Sequence, residues 1–226
     1  MVLLPHTPNS RMNRRALLSA TLVLVAAARP STAATTDRPE AFIDGLGDRA
    51  LVLLGRPQAT VSRSELAALL DEAVDLRLLA RLALGRHWNA ASETQRREYL
   101  ELFRAYALQG LASAFTTYAG LRRFVVTGSR PSGEDDVLVS TDLHLEPGRP
   151  LYHIDWRVRQ VDGRLVVIDV IAEGVSLLVT NREEFNSIVS RGGIDGLLRE
   201  MHGWNEEAQA LHAQAGGGPR EGGETK

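Results

Sequence analysis

Apolar and polar residues alternate one for one from Tyr152 to Arg159. Tyr152, Ile154, Trp156 and Val158 share one face; His153, Asp155, Arg157 and Arg159 share the other. A period of two marks a strand with one buried face. Asp162-Gly163 closes a tight turn. Leu165–Ala172, apolar on both faces except at Asp169, predicts a strand inside the sheet. Upstream, Phe124–Thr127 is short and apolar. Val137–Leu145 alternates, with Val137, Val139, Thr141, Leu143 and Leu145 on one face. Pro147-Gly148 turns the chain into Leu151. Four consecutive strands with short connections predict an antiparallel meander. At Glu173-Gly174-Val175-Ser176-Leu177 the chain bends from strand towards helix.

A helical period governs the flanks. Ile43, Leu46, Ala50 and Leu54 fall on one face of a helix over residues 41–54. Gly45 and Gly47 weaken it by about 1 kcal/mol each against alanine, and Gly55-Arg56-Pro57 ends it. Ser62-x-x-Glu65 is a capping box that opens a helix carrying Leu66, Leu69, Leu70 and Ala73. Asp75–Leu84 forms a further helix, stopped by Gly85, and His87-Trp88 falls in the next connection. Ser92-x-x-Gln95 is a second capping box. It opens the longest helix, Glu93–Tyr118, whose apolar side carries Tyr99, Leu102, Phe103, Tyr106, Leu111, Phe115 and Tyr118. Two more helices follow the meander, at 182–190 and 194–202. The sum is an α+β fold: one curved four-stranded antiparallel sheet wrapped by N-terminal and C-terminal helices on its inner face.

The N-terminus has a different logic. Arg11, Arg14 and Arg15 precede an apolar run, Ala16–Ala28, that is too short to span a bilayer. Small residues follow in Ser31-Thr32-Ala33-Ala34. This predicts a secretory signal peptide over residues 1–34. Export by the general secretory route and by the twin-arginine route both fit Arg14-Arg15, and Met12 is an alternative start. Residues 35–204 then form one domain. From Asn205 to Lys226 the chain lacks apolar anchors and is expected to be a disordered tail. No other segment is apolar enough to span a membrane, so a soluble exported protein is expected.

The formal net charge of −2 offers no basis for nucleic-acid binding, and zero cysteines exclude disulfides and thiolate chemistry. The six histidines include no pair at i, i+4 on a predicted helix, so no metal site is expected. His144 and His153 could face each other across a hairpin, as a surface pair. Ser176 lacks the second glycine of a nucleophile elbow, because position 178 is leucine. Asp169 and Glu173, with Asp155 on the neighbouring strand, are the candidates for a general base. The alternative is that they hold backbone N–H groups or an arginine, Arg157 or Arg182, and fix the elbow. No catalytic residue and no cofactor is assigned.

Leu143, Leu145, Tyr152, Ile154, Trp156, Val166, Ile168 and Val170 make one broad apolar face on the meander, and Phe103 and Tyr106 of the long helix would lie over it. Most of such a face is core. A curved sheet that meets helices only at its edges also leaves room for an apolar hollow.

Asp169-Val-Ile-Ala-Glu-Gly-Val-Ser-Leu177, followed by Asn181-Arg182, Phe185 and Gly192-Gly-Ile-Asp-Gly-Leu197, resembles the MlaC, or toluene-tolerance, family. So do Leu84-Gly85-Arg86-His87-Trp88, the Gln95-Arg96 helix start and Tyr118-Ala119-Gly120. The resemblance spans residues 38–204. It implies a lipid cavity lined by the apolar residues just named, in a periplasmic carrier of glycerophospholipid, with acyl chains inside and headgroup out. Its partners would be an outer-membrane lipoprotein complex and an inner-membrane ABC transporter with a lipid-binding capture subunit. Its role would be outer-membrane lipid asymmetry, without enzymatic activity. Trp88 would stand at the cavity mouth or plug the helix junction. Arg86, Arg122, Arg123 and Arg182 would meet a lipid phosphate or an acidic partner, or be plain surface charges. Two departures, Leu165 where relatives often have tryptophan and Asn181 where an aromatic precedes the arginine, leave cavity shape and ligand open. A hopanoid-associated lipid carrier and a nuclear-transport-factor-like isomerase or dehydratase with a carboxylate base are the alternatives.

Overall fold

The computed structural model describes residues 33–57 and 60–216, with side chains inside 38–210. Residues 1–32 of the expected signal peptide and the last ten residues of the chain lie outside them. The element order is α1 (Ala33–Leu54), α2 (Arg63–Ala73), α3 (Leu76–Leu84), α4 (His87–Ala90), α5 (Glu93–Thr117), β1 (Arg123–Pro131), β2 (Asp136–His144), β3 (Leu151–Val161), β4 (Arg164–Ala172), β5 (Val175–Ser176) and α6 (Leu177–Gly216).

Both capping boxes form. Ser62 and Glu65 exchange side-chain bonds with each other's backbone N–H at the start of α2, and Ser92 and Gln95 do so at α5. Each satisfies two donors that the first helical turn leaves open. Asp75 caps α3 by accepting from the Leu78 N–H at 3.0 Å. His87-Trp88, expected in a connection, forms the one-turn helix α4 instead.

The sheet is an antiparallel meander in the order β1-β2-β3-β4-β5. It has one strand more than expected. Glu173 and Gly174 both take positive φ, 48° and 82°, and Ala172 pairs with Val175. The elbow is therefore a second two-residue hairpin, built like Asp162-Gly163, whose central residues both need positive φ. β1 also runs past Thr127 to Pro131, because the register shift between Val126 and Gly128 lets the ladder resume.

A shift in β4 matters more. Arg157 pairs with Asp169 and Val158 with Val167, so Ile168 is an extra residue. One extra residue inverts the side-chain phase of the strand. Val167 and Val170, not Val166 and Ile168, consequently face the helices.

The helices pack on one face of the sheet. Ile43 and Leu46 of α1, Leu69 of α2 and Leu108 and Phe115 of α5 meet Val139, Val158 and Val167. A second core joins α3, α5 and α6 through Leu84, Tyr99, Phe185, Leu197 and Met201. The buried Tyr99 hydroxyl donates to the Ala80 carbonyl at 3.0 Å, and burial raises its pKa.

α6 combines the two C-terminal helices that the pattern predicts. Gly193, at φ 66° and ψ −174°, breaks it and turns the second half back. The expectation of a disordered tail from Asn205 is corrected in part, since the helix continues to Gly216. The Asn205 amide donates to the Leu102 carbonyl at 3.3 Å, an anchor that composition does not reveal.

Candidate functional site

Two apolar cavities lie between the sheet and the helices. The smaller, about 330 Å³, is bounded by Ile43 and Leu46 of α1, Phe115 and Tyr118 of α5, and Leu143, Ile154 and Trp156 of the sheet. The larger, about 590 Å³, lies between α3, α5, β4 and α6, against Phe103, Tyr106, Val167, Leu178 and Trp204. Leu111, Ala114, Val170 and Leu177 line both, so the two are adjoining lobes with one wall. Each volume falls within the roughly 300–1,000 Å³ typical of ligand pockets. Leu177 is 50% exposed and marks where the lobes meet solvent.

Local sequence explains the space. Gly110, Ser113, Ala114 and Thr117 put small side chains on the lobe-facing side of α5, and a Cβ added at Gly110 would meet nothing within 4 Å. Gly47 of α1 admits the Phe124 ring, which a Cβ there would meet at 2.3 Å. Among the described residues no lysine, arginine or histidine lines either lobe. Burial raises the pKa of Tyr106 and of Tyr118, with smaller contributions from Glu184 at Tyr106 and from Tyr152 and Glu173 at Tyr118. Both hydroxyls thus stay neutral.

Polar groups cluster on the larger lobe. Asp169, 3% exposed, accepts from the Leu178 N–H at 3.0 Å and from the Ser176 hydroxyl at 2.6 Å. Ser176 Oγ accepts from the Val179 N–H. Together they cap the first turn of α6. Glu173 accepts from the His153 N–H at 2.7 Å. Both carboxylates thus hold backbone and the elbow, as the second of the two sequence readings expects, and among the described residues no arginine takes part. Asp155 does not join them; it accepts from Ser140 at 2.5 Å. His153 pairs with Asp142 at 2.6 Å rather than facing His144. Among the described residues no group of three metal-ligating side chains stands together.

The expected cavity residues divide. Phe103, Tyr106, Leu143, Ile154, Trp156 and Val170 line the lobes. Leu145 is buried beside the smaller lobe, where Tyr152 packs edge-on against Tyr118 with centroids 5.4 Å apart. Val166 and Ile168 line neither lobe, for the reason of phase given above. Trp88 plugs the helix junction, buried in the α3–α6 core with the Arg96 guanidinium 5.5 Å over its ring. Arg86 and Arg182 share a separate surface cleft with His87, Glu183 and Asn186. Arg182 donates to the Leu82 carbonyl and Arg86 to Asn186. Arg122 pairs with Glu146 at 2.6 Å. Sequence reasoning missed Leu177, Leu178, Trp204 and Ala114. The small-residue face of α5 was the available signal for Ala114; the return of α6 had none.

A curved antiparallel sheet with helices over one face, enclosing two mainly apolar lobes, defines an α+β fold built around a hollow. The chain belongs to the MlaC protein family, whose profile matches residues 50–203. A relative from Haemophilus influenzae, the intermembrane phospholipid transport system binding protein MlaC, is 24% identical over 131 residues. That match covers 57% of this chain and 61% of the relative, less than two thirds of its length. A phospholipid-binding protein from Ralstonia solanacearum, solved in complex with a phospholipid, has the same fold. The TM-score is 0.62 at 22% identity, over 75% of this chain and 98% of the other. Among the described residues no helix is long and apolar enough to cross a membrane.

Proposed function

We propose that this protein is a periplasmic glycerophospholipid carrier, exported by a cleavable signal peptide. It holds the acyl chains in the two lobes and leaves the headgroup in solvent near Leu177. The observation that carries this reading is the shared wall of Leu111, Ala114, Val170 and Leu177, which lets two chains of one ligand enter neighbouring lobes. Each CH₂ buried gives about 0.8 kcal/mol, so two chains leave a bilayer without loss of apolar contact. Family membership and the ligand named for the Ralstonia solanacearum protein support the same class of ligand.

The carrier passes lipid between an outer-membrane lipoprotein complex and an inner-membrane ABC transporter with a lipid-binding capture subunit, and so maintains outer-membrane asymmetry. It is not an enzyme. Asp169, the most buried carboxylate of the elbow, is occupied in capping α6. Direction comes from the partners, because a passive carrier only equilibrates between them. Arg86 and Arg182 lie where an acidic partner surface could reach them, rather than a headgroup at the lobes.

The test is native mass spectrometry of protein purified from periplasm, followed by lipid extraction. Diacyl phospholipid at fixed stoichiometry is expected. A protein that is empty and binds no added lipid overturns the reading, and a hopanoid in its place moves the ligand class.

A further inference from the structure

The two lobes differ in chemistry. The smaller is lined almost wholly by hydrocarbon. The larger carries uncharged polar groups on its α5 and α6 sides: Gln109, Ser113, Asn181 and Asn205. Asn181 and Asn205 sit in defined bonds. The Tyr106 hydroxyl donates to Asn181 Oδ1 at 2.9 Å, bridging α5 to the first turns of α6, and Asn205 is held by Leu102. The Tyr106 bond fixes the Asn181 amide and leaves its Nδ2 donors with no partner among the described residues.

Asn181 stands one helical turn after Leu177, the exposed residue that lines both lobes. Residues four apart lie on one face of a helix. The free donor thus sits beside the point where two chains in neighbouring lobes would diverge. In a diacyl lipid that point carries the glycerol ester carbonyls, which are acceptors without donors. The headgroup phosphate would instead call for a cation, and among the described residues neither lobe has one. A donor left unpaired next to bound hydrocarbon is costly, so a ligand with an acceptor at this depth is favoured over one without.

We propose that the Tyr106–Asn181 pair is a specificity determinant, which selects lipids that bring an ester carbonyl to Asn181 Nδ2. The inference rests on the carrier reading and deepens it by naming the feature of the ligand that is read. It also bears on the alternative ligand, since a ring hydrocarbon offers no acceptor there.

The probe is a pair of phosphatidylglycerols of equal chain length, one ester-linked and one dialkyl ether-linked. They are offered together in mixed micelles to delipidated full-length mature protein, and bound lipid is counted by native mass spectrometry. The wild type is expected to hold the ester form about three- to tenfold over the ether form, the range that one net hydrogen bond spans. Asn181→Leu is expected to bring the ratio to about one. Tyr106→Phe, which releases the amide, should lower it in the same direction with the aromatic contacts retained. Equal binding of the two lipids by wild type overturns the proposal and leaves the carrier reading standing. So does a wild-type preference that persists unchanged in folded Asn181→Leu or in Tyr106→Phe. Failure of wild type to bind either lipid sinks the carrier reading, and this inference with it.

Discussion

Trp156 donates its indole N–H to the Thr141 hydroxyl at 2.9 Å, diagonally across the β2–β3 ladder. Thr141 passes the bond on to the Ile154 carbonyl, also at 2.9 Å. Two polar groups on the inner face of the sheet thus satisfy each other, and the tryptophan ring is held as a wall of the smaller lobe. Thr141→Val keeps the volume but strands the indole N–H. It should cost about 1–3 kcal/mol in urea unfolding, while Thr141→Ser keeps the hydroxyl and loses less. Equal stability of valine and wild type would show that this chain of bonds adds nothing.

The two glycines of α1 should respond oppositely to alanine. A Cβ at Gly45 has open space, its nearest neighbour being the tip of Arg49 at 4.0 Å. Gly45→Ala should therefore gain up to about 1 kcal/mol in helix propensity. A Cβ at Gly47 would lie 2.3 Å from the Phe124 ring, so Gly47→Ala should lower the melting temperature and displace Phe124 from the smaller lobe. Thermal melts of the two variants side by side check this. Two stabilised proteins would mean that the ring moves aside freely.

This pair also shows what a sequence conveys. Both glycines read as helix weaknesses, because propensity is local; that one of them receives a ring from β1 is a tertiary fact. The capping boxes at Ser62 and Ser92 were legible for the converse reason, since every atom they need lies within four residues. The alternation of β3 gave its buried face directly. The same rule failed in β4, where Ile168 is one residue too many and no local signal marks it. Val166 and Ile168 were misplaced for that reason, and Val167 was missed. Trp88 was legible as a large residue at a helix junction, but its surroundings come from α5 and α6, far away in sequence.

Ala114 lies in the wall between the lobes. Ala114→Phe should fill both mouths at once and remove most co-purified lipid, with the circular dichroism spectrum unchanged. A folded variant that retains full lipid would place the chains elsewhere.

Asp169→Ala should destabilise the fold by about 1–3 kcal/mol, because it strips a buried cap from α6. Asp169→Asn keeps an acceptor for the Leu178 N–H, and Glu173→Gln keeps one for His153. Both of these should hold their lipid. Loss of a catalytic turnover in either, with lipid content intact, would point to an enzyme.

The pH response follows from Glu65. The Arg56 guanidinium, and then the Ser62 N–H and hydroxyl, lower its pKa from 4.5 to about 2. Arg104 lowers that of Asp71 in the same helix. A pKa lowered by folding means stability that is complete above the unfolded value and is lost as pH falls through the folded one. Stability should thus decline between pH 4.5 and about 2, and Glu65→Gln should flatten the decline. Urea midpoints at stepped pH measure it; an unchanged slope in the variant would remove Glu65 from the account.

The break at Gly193 lets the two halves of α6 each serve the larger lobe, Leu178 and Asn181 from the first and Trp204 and Asn205 from the second. Between the break and Trp204 lie ten residues of fixed helical phase, Ile194 to Gly203. One residue inserted in that stretch would turn everything beyond it by about 100° and advance it by about 1.5 Å. Trp204 would leave Tyr106 and Phe185, and the lobe would lose one side without any change to the residues that line it. The length of this arm is therefore as much a part of the site as its side chains, and evolution by insertion is closed to it while evolution by substitution is not.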